Sequence, residues 1–136
     1  MTVRVGIAAA LVVGTFAVGC GDGDGKESDK GQTQATPQRA VAELGEVRKG
    51  LDQALDAYRS GERAAADRQV GDTYLEHFEI VEGPLGEVDH ELTEKLEDGI
   101  REELRAKIKS GAPAAEVMRL GDEIMRDLER AEAALR

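Results

Sequence analysis

The stretch "DHELTEKLEDGIREELRAKIKSGAP", residues 89–113, decides how the rest of the chain is read. Leu92, Leu96, Ile100, Leu104 and Ile108 recur one helical turn apart, with Glu, Lys and Arg between them, so one face is apolar and the others are charged. Asp89 is placed to cap the first turn, Ser110-Gly111 to end the helix, and Pro113 to open the next one.

Working outward, the same punctuation delimits three more helices. Thr36 as N-cap and Pro37 as first helical residue start a segment with Val41, Leu44, Leu51, Leu55 and Tyr58 on one side, closed by Ser60-Gly61. A second runs from about Glu62 to Glu82 on Val70, Tyr74, Phe78 and Val81, with "GPLG" predicted to break it. The fourth, after Pro113, carries Val117, Leu120, Ile124, Leu128 and Leu135. Four amphipathic helices with short connections predict an all-α fold, an up-down-up-down four-helix bundle over residues 37–136.

What precedes the helices reads as an address. "MTVRVGIAAALVVGTFAVGC" has Arg4 in a short n-region, an apolar stretch from Val5 to about Val18, and small residues before a cysteine. Residues 1–19 are therefore expected to be a lipoprotein signal peptide. Ala17-Val18-Gly19-Cys20 resembles a bacterial lipobox, in which the cysteine is acylated, although Ala17 departs from the commoner Leu. Cys20 is the chain's single cysteine and has no disulfide partner within it, which lipidation would explain. Acyl chains would anchor the protein to the cell membrane on its extracytoplasmic side. Residues 20–36, rich in Gly, Asp, Lys and Gln, are expected to form a flexible tether.

With 28 acidic against 18 basic residues, a net charge of −10, the chain is unsuited to bind nucleic-acid phosphates. It has no Ser-His-Asp order, glycine-rich phosphate loop or paired cysteines, so no enzymatic role is expected. Candidate binding residues concentrate between positions 72 and 82. On a helical wheel Asp72, Glu76 and Glu79 form an outward line, Glu82 lies between that line and the core, and His77 sits at the core's edge. Oxygen-rich lines suit hard cations such as ferric iron, calcium or magnesium; a solvated helix face has the same appearance. His77 is read first as a core-edge histidine hydrogen-bonded to a neighbouring helix, with a ligand role as the alternative. Arg48, between Leu44 and Leu51, is expected to snorkel or to reach Glu82 or Glu103, and Glu97–Arg101 and Glu103–Lys107 are expected i, i+4 pairs.

"ALDAYRSGERAAADRQVGDTYLEHFEIVEGPL", followed by "ELTEKLEDGIREEL", resembles the extracytoplasmic helical domain of bacterial oxidase-dependent, high-affinity iron permeases. The likeness covers roughly residues 50–135 and centres on Tyr-x3-Phe-Glu-x2-Glu, here Tyr74, Phe78, Glu79 and Glu82. The chain departs from those permeases in lacking membrane helices after residue 20 and their Arg-Glu-x-x-Glu motif. What the resemblance implies is a lipid-tethered, free-standing version of the domain that binds iron or docks on an iron permease or other transport protein. Glu79 and Glu82 become its leading ligands, with Tyr74 and Phe78 structural. The competing expectation is an interaction lipoprotein that binds no metal and meets a cationic envelope protein.

Overall fold

A computed structural model describes residues 35–136. The expected signal peptide, the Cys20 lipidation site and all but the last two residues of the expected tether lie outside the described residues. Four helices account for the described secondary structure: α1 (Pro37–Arg59), α2 (63–88), α3 (90–110) and α4 (Ala114–Leu135).

Their ends follow from local chemistry. The Thr36 hydroxyl accepts a hydrogen bond from the Arg39 N–H at 3.2 Å, and Pro37 supplies a preset backbone angle. At the other end Gly61 adopts φ 84°, and the N–H groups of Gly61 and Glu62 return to the carbonyls of Tyr58 and Ala57. Gly111, at φ 69°, closes α3 in the same way, its N–H and that of Ala112 bonding Ile108 and Lys107. Pro113 stands one residue outside α4, as its N-cap.

The predicted break at "GPLG" does not occur. Helix α2 runs through Pro84 to Val88. A proline inside a helix forfeits one backbone hydrogen bond and crowds the preceding residue. Gly83 has no Cβ to crowd, and Val81, Pro84 and Leu85 are all buried, so core packing outweighs the lost bond. The chain turns instead at the single residue Asp89 (φ −151°, ψ 82°), whose carboxylate accepts from the Leu92 N–H at 3.0 Å.

Both central helices are underwound. A π-helical turn occupies Tyr74–Phe78 in α2 and Asp98–Leu104 in α3. The cause lies in the apolar spacing. Each i, i+4 step advances an α-helix by about 40° beyond a full turn, so four such steps from Leu92 to Ile108 would swing the stripe through about 160°. A π turn, with more residues per turn, rotates it back. Leu92, Leu96, Ile100, Leu104 and Ile108 are accordingly all buried, while Glu103, which an unbroken α-helix would turn inward, is exposed. In α2 the steps Ala66, Val70, Tyr74 and Phe78 build the same drift up to the π turn, and all four are buried.

Helix α1 lies against α2 and α4, and α3 against the same two. Across the seams, Glu43 meets His77, Arg105 meets Asp67, Lys95 meets Asp127, and Tyr58 donates to the Ala112 carbonyl at 2.6 Å. The core between them is Leu, Val, Ile and Ala with Phe78 and Tyr74. No described helix is long and apolar enough to cross a membrane.

Candidate functional site

Helices α1 and α2 approach closely because Gly50 faces the buried Thr73. Alongside that contact runs a polar groove of about 160 Å³ lined by Glu46, Lys49, Gln53, Gln69, Asp72, Glu76 and His77, with the Lys49 ammonium 3.3 Å from Glu46. Three of the five candidate ligands, Asp72, Glu76 and His77, thus share one site, and α1 adds Glu46.

His77 is half-buried, its side chain 29% exposed, and Nδ1 lies 2.8 Å from Glu43 Oε2. An ionised carboxylate only accepts, so the proton of this bond sits on Nδ1. In neutral His77 the lone pair is then on Nε2, which has no partner among the described residues. A carboxylate that fixes one imidazole nitrogen and leaves the other free is the usual support for a metal-binding histidine. Glu43 is itself steadied by Arg39 at 3.7 Å.

Glu79 and Glu82 go elsewhere. The expected line of Asp72, Glu76 and Glu79 requires an unbroken α-helix, in which i and i+7 lie within about 20° of each other. The π turn between them inserts roughly one extra residue and rotates Glu79 away by about 100°. Glu79 is exposed and lies outside the groove. The same rotation brings Glu82 over Tyr74, whose hydroxyl donates to Oε1 at 2.5 Å. The Arg101 guanidinium stands 5.8 Å from the Tyr74 ring centroid and bonds Glu97 at 2.7 Å. Burial first, and then the Glu82 carboxylate, push the Tyr74 phenol up to about 12. Burial likewise raises Glu82, against the hydrogen bond from Tyr74, which lowers it; Glu97 and Glu79 add repulsion. Among the described residues no three His, Cys, Asp or Glu side chains are disposed to hold one metal ion together.

This chain matches no family model, curated protein or solved structure. The expected resemblance to iron permeases thus has no support beyond the sequence elements that suggested it. Tyr74 and Phe78 are core residues, their ring centroids 5.8 Å apart, and Glu82 is engaged by Tyr74, which leaves Glu79 as the motif's free carboxylate.

Other pairings also differ from expectation. Arg48 pairs with Glu132 and donates to the Leu128 carbonyl at 3.3 Å, because its side of α1 faces α4; its Nε stays buried without a partner. Glu97–Arg101 forms, but Lys107 reaches across to Glu116 at 3.1 Å instead of Glu103. Sequence reading missed Glu43 as the partner of His77 and Glu46 as a groove residue. The available signal was their position beside the core residues Leu44 and Val47, which places them at the edge of a buried seam.

The raised pKa of Glu82 sets a pH dependence. A carboxyl whose folded pKa exceeds its unfolded value favours the fold below the unfolded pKa, and that contribution is lost as pH rises through the folded pKa. Glu82→Gln keeps an oxygen to accept from Tyr74 and removes the titration. Urea unfolding from about pH 4 to about pH 7 should show the wild type losing stability relative to Glu82→Gln as pH rises. Parallel curves would contradict the raised value.

Proposed function

We propose that this chain is a membrane-tethered, extracytoplasmic accessory component of iron uptake. Its four helices are read as an up-down-up-down bundle, and its α1–α2 groove as the place where a cation is held. The bundle reading is supported by seam partners that run in opposite order along neighbouring helices: 43 with 77 and 50 with 73, 67 with 105 and 74 with 101, and 95 with 127 and 107 with 116. The tether reading rests on Cys20 and the segment before it.

The observation that carries the cation reading is the Glu43–His77 pair beside Asp72, Glu76 and Glu46 in one groove. Asp72 and Glu76 are exposed, so they are free to swing toward an ion near His77 Nε2. Such an open site suits transient capture and transfer better than storage.

Calorimetric titration of the full chain with ferrous iron under anaerobic conditions, and with ferric citrate, tests this. Heat and a raised thermal midpoint are expected. Glu43→Gln should weaken binding about tenfold through His77, His77→Ala and Asp72→Asn/Glu76→Gln should do so at least as strongly, and Glu79→Gln should leave it unchanged. No heat and no thermal shift with iron, calcium or magnesium would sink the reading. A second reading, docking on a transport protein, draws on the outward face of α2.

A further inference from the structure

The groove between α1 and α2 is lined by three carboxylates, those of Glu46, Asp72 and Glu76, and among the described residues by one cation, Lys49. The Lys49 ammonium lies 3.3 Å from Glu46 Oε2, three residues back on α1, and both side chains are more than half exposed. The other lining side chains carry no charge: the amides of Gln53 and Gln69, the Thr73 hydroxyl, and His77, which must be neutral to offer a lone pair to a metal. Three carboxylates against one ammonium leave the groove a net charge of −2. Glu43 stands outside the lining, balanced by Arg39. Arg68, a turn before Asp72, is exposed and likewise does not line the groove.

The contact that holds Lys49 is weak. An exposed i, i+3 ion pair gains little over the hydration of its two ends, and the flexible stem lets the ammonium swing aside for an arriving ion. Its root stays beside Gly50, at the close contact of α1 with Thr73, so the positive charge remains near the carboxylates wherever the stem points. Its repulsion then acts on a bound ion in proportion to that ion's charge. We infer that Lys49 is a specificity-determining residue of the groove, a resident counter-ion that tilts it toward divalent cations such as ferrous iron and away from trivalent ones. An imidazole nitrogen beside carboxylate oxygens is a donor set that suits the same choice. The inference deepens the cation reading of the groove and rests on it.

The full chain is titrated by calorimetry with ferrous iron under anaerobic conditions and with terbium(III), a trivalent ion that stays in solution where ferric iron precipitates. Lys49→Gln should tighten ferrous iron about fivefold and terbium about tenfold, because a Coulomb energy proportional to ion charge raises the logarithm of the gain by half again. Lys49→Arg, which keeps the charge, should leave both affinities within about twofold of the wild type. Arg126→Gln removes a cation from an exposed position on α4, outside the groove, and should also change them by less than about twofold. Lys49 is exposed, so its variants should unfold at the temperature of the wild type. Equal gains for the two ions, no gain, or the same gain with Arg126→Gln would overturn the inference, while ferrous binding by the wild type would keep the cation reading in place. No binding of either ion by the wild type or by Lys49→Gln would overturn both.

Discussion

Phe78→Ala is expected to remove about 3–5 kcal/mol of folding stability, the range for truncating a fully buried aromatic residue. Phe78 has no solvent exposure, packs beside the Tyr74 ring, and lies on the π turn that keeps the α2 stripe against the core. A domain of this size is stabilised by only about 5–15 kcal/mol in total, so the loss would lower the thermal midpoint by more than about 10 °C. Urea unfolding followed by circular dichroism measures it. Phe78→Leu, which refills most of the volume, should lose much less. A loss below about 1 kcal/mol on Phe78→Ala would mean that the aromatic of the Tyr-x3-Phe-Glu-x2-Glu element is not the packing residue described.

The second large effect comes from removing a space. An alanine in place of a helical glycine ordinarily gains about 1 kcal/mol. At Gly50 the added Cβ would stand 2.1 Å from Thr73 Oγ1, 2.8 Å from Cγ2 and 3.0 Å from Cβ. No rotation of Thr73 clears all three, so α1 and α2 must separate. Overpacking of this kind typically costs about 1–3 kcal/mol and reaches higher where backbone must move. The clash is therefore expected to win, with Gly50→Ala destabilising by about 2 kcal/mol. Gly45, five residues earlier on α1, has nothing within 4 Å of its notional Cβ. Gly45→Ala should stabilise by up to about 1 kcal/mol. Thr73→Ala should recover much of the Gly50→Ala loss, since it removes the two closest atoms. Additive losses in the double variant would show that the two residues do not share the contact.

These two sites show what sequence reading could and could not reach. Phe78 was legible as core because it repeats with Val70, Tyr74 and Val81, and burial of one face is a property of the local pattern. Gly50 carried no such mark. A glycine mid-helix reads as a weak position until a second helix is laid against it, and only then does its missing side chain become the feature that lets Thr73 approach. The candidate site divides in the same way. His77 at the core's edge was readable from α2 alone, whereas its partner Glu43 lies 34 residues away on α1. Glu79 and Glu82 were paired by the resemblance, yet their surroundings differ: Glu79 faces solvent, and the π turn that precedes both brings Glu82 to Tyr74.

By itself the sequence determined the helical class, the caps at Thr36 and Asp89, the glycine stops at Gly61 and Gly111, and the apolar residues that face inward. Each is settled by groups a few residues apart, where a hydroxyl or carboxylate meets an unpaired N–H or a glycine admits a left-handed turn. Tertiary structure decided the underwinding of α2 and α3, the passage of α2 through Pro84, the pairing of Arg48 with Glu132, and the gathering of Glu46, Asp72, Glu76 and His77. The physical reason is common to them. A helix holds its own hydrogen bonds in almost any phase, but burying one continuous stripe against neighbouring helices allows one phase, and that phase selects which polar side chains meet.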